Sequence, residues 1–320
     1  MAKGERTISF YRIVKYKTST TNQVVAQVDW NKVLTALSGQ PLAKRTSNVG
    51  GRILIGEILF YDERAHLKLL KVRDIEAWLG VYNDQEKSIT DLEFDEITQL
   101  YETSIISFLD FGNVIGMIQG STSAPTVSAV TEWLQALALF GAGVELASEA
   151  VMSNEARNQL QQAPEASRIE TKISTSKAQQ LEARKSKLAP ILRQVTEQFG
   201  PMTVTLILQT SQAKDNTEGR QMLRAEAENL AAAAGENEVV KARARLVYID
   251  ADQKTTAKNV DFLKQRITAK RKIGSVDDDG NSIRNVSAVK TIMLVAAEHD
   301  AELRGAVSKT TPSSDTDKKT

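Results

Sequence analysis

Ile105-Ile-Ser-Phe-Leu-Asp-Phe-Gly-Asn-Val-Ile-Gly-Met-Ile118 is the stretch that decides the fold class. Two apolar, β-branched runs, Ile105–Leu109 and Val114–Ile118, flank Asp110-Phe-Gly-Asn113. That tetrapeptide is a strong turn signal, so the spacing predicts a β-hairpin. Gly120-Ser-Thr-Ser-Ala-Pro125 then breaks the pattern. A helix is predicted from about Thr126, because Val127, Val130, Trp133, Leu134 and Leu137 recur at helical spacing. A hairpin running into an amphipathic helix is the signature of an α+β protein of antiparallel strands packed on helices.

The same reading extends in both directions. Ile8 to Tyr16 reads as a strand, and Asp29 as the cap of a short helix from Trp30 to about Leu37. Arg52–Tyr61 and Ala65–Val72 form another predicted hairpin, and Ile75–Tyr82 a helix started by Asp74. Asn154 to Ala166 is weakly periodic and reads as a connection leading to a strand at Arg168–Ile173. Beyond it come a helix Ala178–Phe199 closed by Gly200-Pro201, and Thr203–Leu208, whose continuous apolar run predicts a buried strand. A helix Glu218–Ala234 and a strand Val239–Ile249 follow. Val260–Ile273 reads as strand or helix, and Val289–Arg304 as the last helix.

Composition shifts near Thr175. Up to that residue the chain carries 17 basic and 21 acidic side chains, and beyond it 24 and 19. Two lobes are therefore expected, an acidic one over 1–175 and a basic one over 176–306, with a disordered tail at 307–320. The N-terminus has no apolar signal core, no run is long enough to span a bilayer, and there is no cysteine. The expectation is a cytoplasmic protein without disulfides or thiolate metal sites. His66 and His299 are far apart in sequence and read as surface or edge residues.

Charge is the best handle on function. Ten of the 41 Lys and Arg residues lie between Lys241 and Lys272, against three acids, whereas Ser88–Ala156 holds ten acids and no Lys or Arg. On a strand, Lys241, Arg243 and Arg245 share one face, opposite Ala242, Ala244 and Leu246. If Leu263–Ile273 is also a strand, Lys264, Arg266, Lys270 and Lys272 align in the same way, and two such neighbours would make a cationic ribbon. That surface suits a phosphate backbone, which needs charge and reach rather than base reading. Few aromatics lie nearby (Tyr248, Phe262), which argues against stacking on single strands. The plainer reading is a sheet face kept soluble by its charges. For the acids Asp91, Glu93, Asp95, Glu96 and Glu102, a solvated face is the plain reading, and the functional ones are metal chelation, whose ligand spacing they do not match, and docking of the basic lobe.

Other chemistry has thinner support. Asp277-Asp-Asp-Gly-Asn281 fails the calcium-loop template, and no Gly-x-x-x-x-Gly-Lys loop exists. Glu170-Thr-Lys172 could end a metal-dependent nuclease site if Glu145, Glu149 or Glu165 shared the ion. The two alternatives to DNA binding are thus that nuclease and a regulatory partner protein that binds no DNA. Neither a catalytic residue nor a cofactor or metal is expected.

The order and wording of several elements resemble the RexA phage-exclusion family of lambdoid prophages. Phe10-Tyr11, Asp29-Trp-Asn-Lys-Val-Leu-Thr-Ala-Leu37 and the hairpin after it recur in that order. The segment Val114-Ile-Gly-Met-Ile-Gln-Gly-Ser-Thr-Ser-Ala-Pro-Thr-Val-Ser-Ala-Val-Thr-Glu-Trp-Leu134 is similar to that family's strand, Pro-Thr turn and amphipathic helix. Thr203–Leu208 and Lys241-Ala-Arg-Ala-Arg245 fall in the expected places. The resemblance implies a homodimer of two-lobed subunits whose second lobe can swing. It also implies nonspecific binding of double-stranded DNA, antiviral sensing, and a membrane-protein effector as a further partner. A DNA-binding defence protein of the Kiwa type is the related alternative. Where that family carries a dense basic tract after its apolar strand, Gln209–Lys214 keeps only Lys214, followed by Arg220 and Arg224. Those three join the ribbon residues as DNA-binding candidates.

Overall fold

A computed structural model describes residues 4–308 apart from 18–22, 25, 74–79, 84–87, 92–99, 211–215, 235–238, 251, 253 and 275–283. The first part of the chain runs β1 (Glu5–Lys17), β2 (Gln23–Val24), α1 (Trp30–Ser38), β3 (Thr46–Val49), β4 (Arg52–Tyr61), β5 (Arg64–Val72), β6 (Gly80–Asn83) and β7 (Ser88–Asp91). It continues through β8 (Tyr101–Phe108), β9 (Val114–Gln119), α2 (Val127–Ala136), β10 (Val144–Ala150) and α3 (Asn154–Gln162). Then come β11 (Glu165–Ser174), α4 (Ala178–Ala183), α5 (Leu188–Phe199), β12 (Thr203–Gln209), α6 (Thr217–Ala233), β13 (Val239–Ile249) and β14 (Thr255–Asp261). The chain closes with β15 (Thr268–Lys272), α7 (Arg284–Glu298) and α8 (Asp300–Ser308).

The protein is α+β with antiparallel sheets. Its larger sheet has the order β10-β1-β9-β8-β5-β4-β3, with β2 and β15 also paired to β1. Both faces of this sheet are covered. On one side Tyr11, Ile13, Leu67, Leu69, Ile106, Ile115 and Met117 pack on α1 and α2 through Trp30, Leu34, Trp133 and Leu134. On the other, Ile8, Phe10, Ile105, Val114 and Ile118 pack on Val289, Ile292 and Val295 of α7. Two covered faces explain why Ile105–Ile118 is apolar at successive positions rather than alternate ones.

The hairpin turn does more than reverse the chain. Gly112 and Asn113 both take positive φ, 59° and 55°, as a tight hairpin turn requires. The Asn113 carboxamide then accepts from the Val28 backbone N–H at 2.8 Å and the Trp30 indole N–H at 3.2 Å. This fixes the entry to α1, whose first turn is capped by Asp29 Oδ1 accepting from Lys32 N at 3.0 Å. Thr126 caps α2 in the same way through Ala129 N.

The second sheet has the order β12-β11-β13-β14. Helices cover only one of its faces: Leu181, Leu188, Leu192, Leu223, Ala227 and Leu230 pack against Ile169, Ile173, Ala242, Ala244, Leu246 and Val260. The composition shift near Thr175 does not coincide with this unit. β11 begins at Glu165, and after β14 the chain returns to the first sheet, where β15 pairs with β1. The four-stranded unit is therefore an insertion, Glu165–Asp261, rather than a C-terminal lobe over 176–306.

Several elements differ from expectation for identifiable reasons. The stretch read as a connection forms α3, because Ser153 caps it and Ala156 and Leu160 bury at i,i+4 spacing. The single helix expected over 178–199 breaks into α4 and α5. Lys185 takes φ 58°, and Glu226 accepts from Ser186 Oγ at 2.5 Å and Lys187 N at 2.7 Å. Val260–Ile273 splits between β14 and β15, and the last helix divides into α7 and α8. Gly80–Tyr82 is strand rather than helix, while 74–79 lie outside the described residues, as do Glu93, Asp95, Glu96 and the Asp277–Asn281 segment. His66 sits in β5 and is 1% exposed rather than at the surface; burial lowers its pKa. Val307 and Ser308 belong to α8, and Val307 packs beside Gly112, so the expected tail does not start at 307.

Trp133 is fully buried, donates to the Arg45 carbonyl at 2.9 Å and lies directly over Gly56, where a Cβ would meet its ring. Trp133→Ala should cost about 3–5 kcal/mol. Gly56→Ala should cost about 1–3 kcal/mol by overpacking the same contact from the opposite side. Urea unfolding of the two variants measures both, and a Gly56→Ala protein as stable as wild type would refute the close approach.

Candidate nucleic-acid interface

Strand alternation sorts β13 as its sequence suggests. Ala242, Ala244 and Leu246 point into the core, and Lys241, Arg243 and Arg245 point outward. The small alanines let α6 approach closely through Ala227, Leu230 and Ala231. With α4, α5 and α6 packed on the inner face, the outer face of the sheet is open among the described residues. Registers then place β11 residues beside the three cations: Lys172 opposite Lys241, Glu170 opposite Arg243, and Arg168 opposite Arg245. Asp261 and Asn259 of β14 stand across from Arg243 and Arg245. On the other flank Thr205, Ile207 and Gln209 of β12 complete the rows.

The result is a face carrying five cations and two acids, with no aromatic residue in these rows. Lys241 Nζ donates to Glu170 Oε1 at 2.6 Å, and Arg243 Nε to Asp261 Oδ2 at 2.9 Å. Arg168 stands 3.9 Å from Glu170. Lys172 and Arg245 have no ion-pair partner among the described residues. Two like-charge cross-strand pairs, Lys172–Lys241 and Arg168–Arg245, bracket the central acids. Such pairs destabilise an isolated sheet. A shallow depression of about 540 Å³ lies among Arg168, Glu170, Arg243, Arg245 and Asn259. The Lys241 hydrogen bond, with Arg168 and Arg243 adding their charge, holds the Glu170 carboxyl below the usual glutamate value against a smaller effect of desolvation.

The two-strand ribbon expected from the sequence does not form. β13 lies between β11 and β14, whereas β15 pairs with β1 in the other sheet, where Lys270 faces Thr7 and Lys272 faces Glu5. Lys264 and Arg266 precede β15 and lie off it; Arg266 is bridged to Met152. Parity alone cannot reveal which strand a strand pairs with, and the chain between Asp261 and Thr268 crosses from one sheet to the other. Arg220 and Arg224 are structural. Arg220 lies 3.5 Å from the buried Glu165, and Arg224 donates to the Ala163 and Leu160 carbonyls, fastening α6 to the end of α3. Lys214 lies outside the described residues. The missed members of the face are Arg168 and Lys172, whose parity with Glu170 on a predicted strand was the available signal.

The nuclease constellation does not assemble around Glu170. Its neighbours are Lys241, Arg168 and Arg243. Glu165 meets Arg220, Glu149 meets Tyr16 and Arg184, and Glu145 accepts from Gln179. Among the described residues no three His, Cys, Asp or Glu side chains come together as metal ligands. No helix among them is long and apolar enough to cross a membrane. The chain matches no protein-family model and no curated protein sequence.

Because the Glu170 pKa is depressed in the folded state, its contribution to stability is present above the unfolded value and is lost as pH falls through the folded one. Carbon-detected NMR titration should place the Glu170 carboxyl below ordinary glutamate, and Lys241→Met should raise it. An unchanged titration in Lys241→Met would show that the Lys241 hydrogen bond is not what holds it down.

Proposed function

We propose that this protein binds double-stranded DNA without sequence preference, through the open face of the β12-β11-β13-β14 sheet. It acts as a sensor rather than a catalyst. The observation that carries the reading is the pair of like-charge rows, Lys172–Lys241 and Arg168–Arg245, on a face where Lys172, Arg243, Arg245 and Ile207 are exposed among the described residues. A duplex phosphate backbone relieves that repulsion, and neutralising each phosphate releases counterions that drive binding. The face offers cations on long side chains and no stacking surface, which suits backbone contact without base readout.

The resemblance to the RexA family supports DNA as the polyanion and phage exclusion as the setting. It also supports a cytoplasmic homodimer, which doubles the available face, and a membrane-protein effector as the downstream partner. The two like-charge rows favour this reading over a regulatory protein that binds no DNA, since a neutral partner leaves their repulsion in place.

A mobility shift on unrelated duplexes, titrated with salt, tests the reading. Affinity should fall with a slope of log K on log salt no steeper than about −4.5 for one face of five phosphate contacts, or about −9 for a dimer that uses both faces. Replacing Arg168 or Arg245 by Gln should weaken binding evenly across sequences and reduce the slope by about one. Joint replacement of Arg168, Lys172, Arg243 and Arg245 by Glu should abolish it, while Lys264, Lys270 and Lys272 replaced by Glu should leave it intact. The reverse pattern would move the interface to the first sheet. Plasmid incubated with the protein and Mg²⁺ or Mn²⁺ should stay intact, and cleavage would overturn the non-catalytic part.

A further inference from the structure

Arg12 is the residue whose environment calls for an explanation. It lies mid-strand in β1, only 7% exposed, and its Nε is buried without a hydrogen-bond partner. An arginine cannot shed its charge to escape burial. Its cross-strand neighbour is Glu149, but that carboxylate is committed elsewhere, accepting from Tyr16 Oη at 3.2 Å and lying 3.4 Å from Arg184 Nη1. No ion pair to Arg12 exists among the described residues. A buried guanidinium without its counter-charge is costly, and such a group in a native protein is met by water, an ion or a ligand.

Arg12 lines a cavity of about 290 Å³ where the two units meet, walled by β1, the end of β10, α3, α6 and α8. A second guanidinium enters from α3. Arg157 uses its terminal nitrogens on the Gly305 carbonyl and Asn154 Oδ1, while its Nε is also buried and unbonded. The acids near the cavity are already engaged. Glu228 meets Arg224 at 2.5 Å, and Glu302, whose charge Arg157 feels, accepts from Asn154 N and lies near His299. Apart from Gln161 the rest of the wall is apolar, including Met152, Leu160 and Ala231.

We propose that this cavity binds a phosphoryl dianion, free or carried on a small molecule, between Arg12 and Arg157. Two guanidiniums entering from different elements match a doubly charged group with several acceptor oxygens better than a singly charged carboxylate. At about 30 Å³ of liquid volume per water, the cavity has room for roughly ten waters, more than a phosphoryl group alone needs. The apolar wall suits an attached organic part. Because α6 belongs to the inserted unit and β1 to the large sheet, an occupant would tie the two together.

Calorimetry on the full chain in phosphate-free buffer, with inorganic phosphate in one arm and adenosine monophosphate in the other, tests the site. Saturable binding of one ligand per chain is expected. Tighter binding of the nucleotide would identify a phosphomonoester, and equal or tighter binding of phosphate the free ion. Arg12→Met should weaken binding by roughly 30-fold or more. Ala232→Glu places a like-charged group at the cavity wall without touching Arg12, and should also abolish binding, which covers the case that Arg12→Met fails to fold. Arg243→Glu/Arg245→Glu should bind as wild type does. The proposal is overturned if neither probe binds at millimolar concentration. It is equally overturned if Ala232→Glu binds normally, or if only the Arg243/Arg245 variant loses binding, which would place the anion on the open sheet face.

Discussion

One backbone crossing positions the rest of the molecule. Val151 N donates to Phe10 O at 3.1 Å, Ile267 N to Val151 O at 2.9 Å, and Ser153 N to Gln265 O at 2.8 Å. The chain thus leaves the large sheet beside β10 and returns to it at Ile267, alongside the same point of β1. More than a hundred residues separate the two crossings, yet closing such a long loop costs little more than closing a shorter one. β1 makes this feasible by being long. Its 13 residues give Glu5–Ser9 to β15, Ile8–Arg12 to β9 and Tyr11–Lys17 to β10. The inserted unit hangs from that junction, and its core is continuous with it through Met152, Ala156 and Leu160.

Local rules in the sequence carried most of the elements. The Asp110–Asn113 turn, the Asp29 cap, the helix start near Thr126 and the alternation of β13 all act within a few residues, and all appear where those rules put them. What escaped was set by distant partners. β12 reads as a buried run, yet Thr205, Ile207 and Gln209 are exposed, because the strand is an edge with one face open. Ile207 is 51% exposed, a value no local pattern of Thr-Leu-Ile-Leu foretells. The break between α4 and α5 depends on Glu226, some forty positions downstream, capturing Ser186 and Lys187. The return of β15 to β1 depends on a pairing choice that hydrophobic parity leaves open.

The candidate face shows the same division. Its β13 half was legible because Ala242, Ala244 and Leu246 face inward and so turn Lys241, Arg243 and Arg245 outward. Its β11 half was not, because Arg168, Glu170 and Lys172 acquire meaning only when register sets them against Arg245, Arg243 and Lys241. Register also decides which charges cancel. Had β11 been shifted by two residues, Glu170 would face Lys241 or Arg245 and the like-charge rows would be rearranged. The observed pairing concentrates repulsion at both ends of the face.

Charge separation along the chain is therefore a poor guide to charge separation in space. The segment Ser88–Ala156 has no Lys or Arg of its own, but four of its acids are met by cations from elsewhere. Glu102 lies near Lys71 and Arg73, Asp110 near Arg64 and Arg304, Glu132 against Arg52, and Glu149 beside Arg184. Of the five acids read as a docking surface, Glu102 is already held by Lys71 and Arg73, while Glu93, Asp95 and Glu96 lie outside the described residues. The basic segment is divided in turn, part of it going to the second sheet and part to the first. Among the described residues, Lys172 and Arg245 on the open face have no ion-pair partner, and neither has Arg12 in its cavity. Surface cations cost little to leave solvated, so the first two are compatible with an empty face waiting for a polyanion. Arg12 is largely buried, where its charge is screened far less than on the open face, and so it constrains the molecule more tightly than a surface cation does.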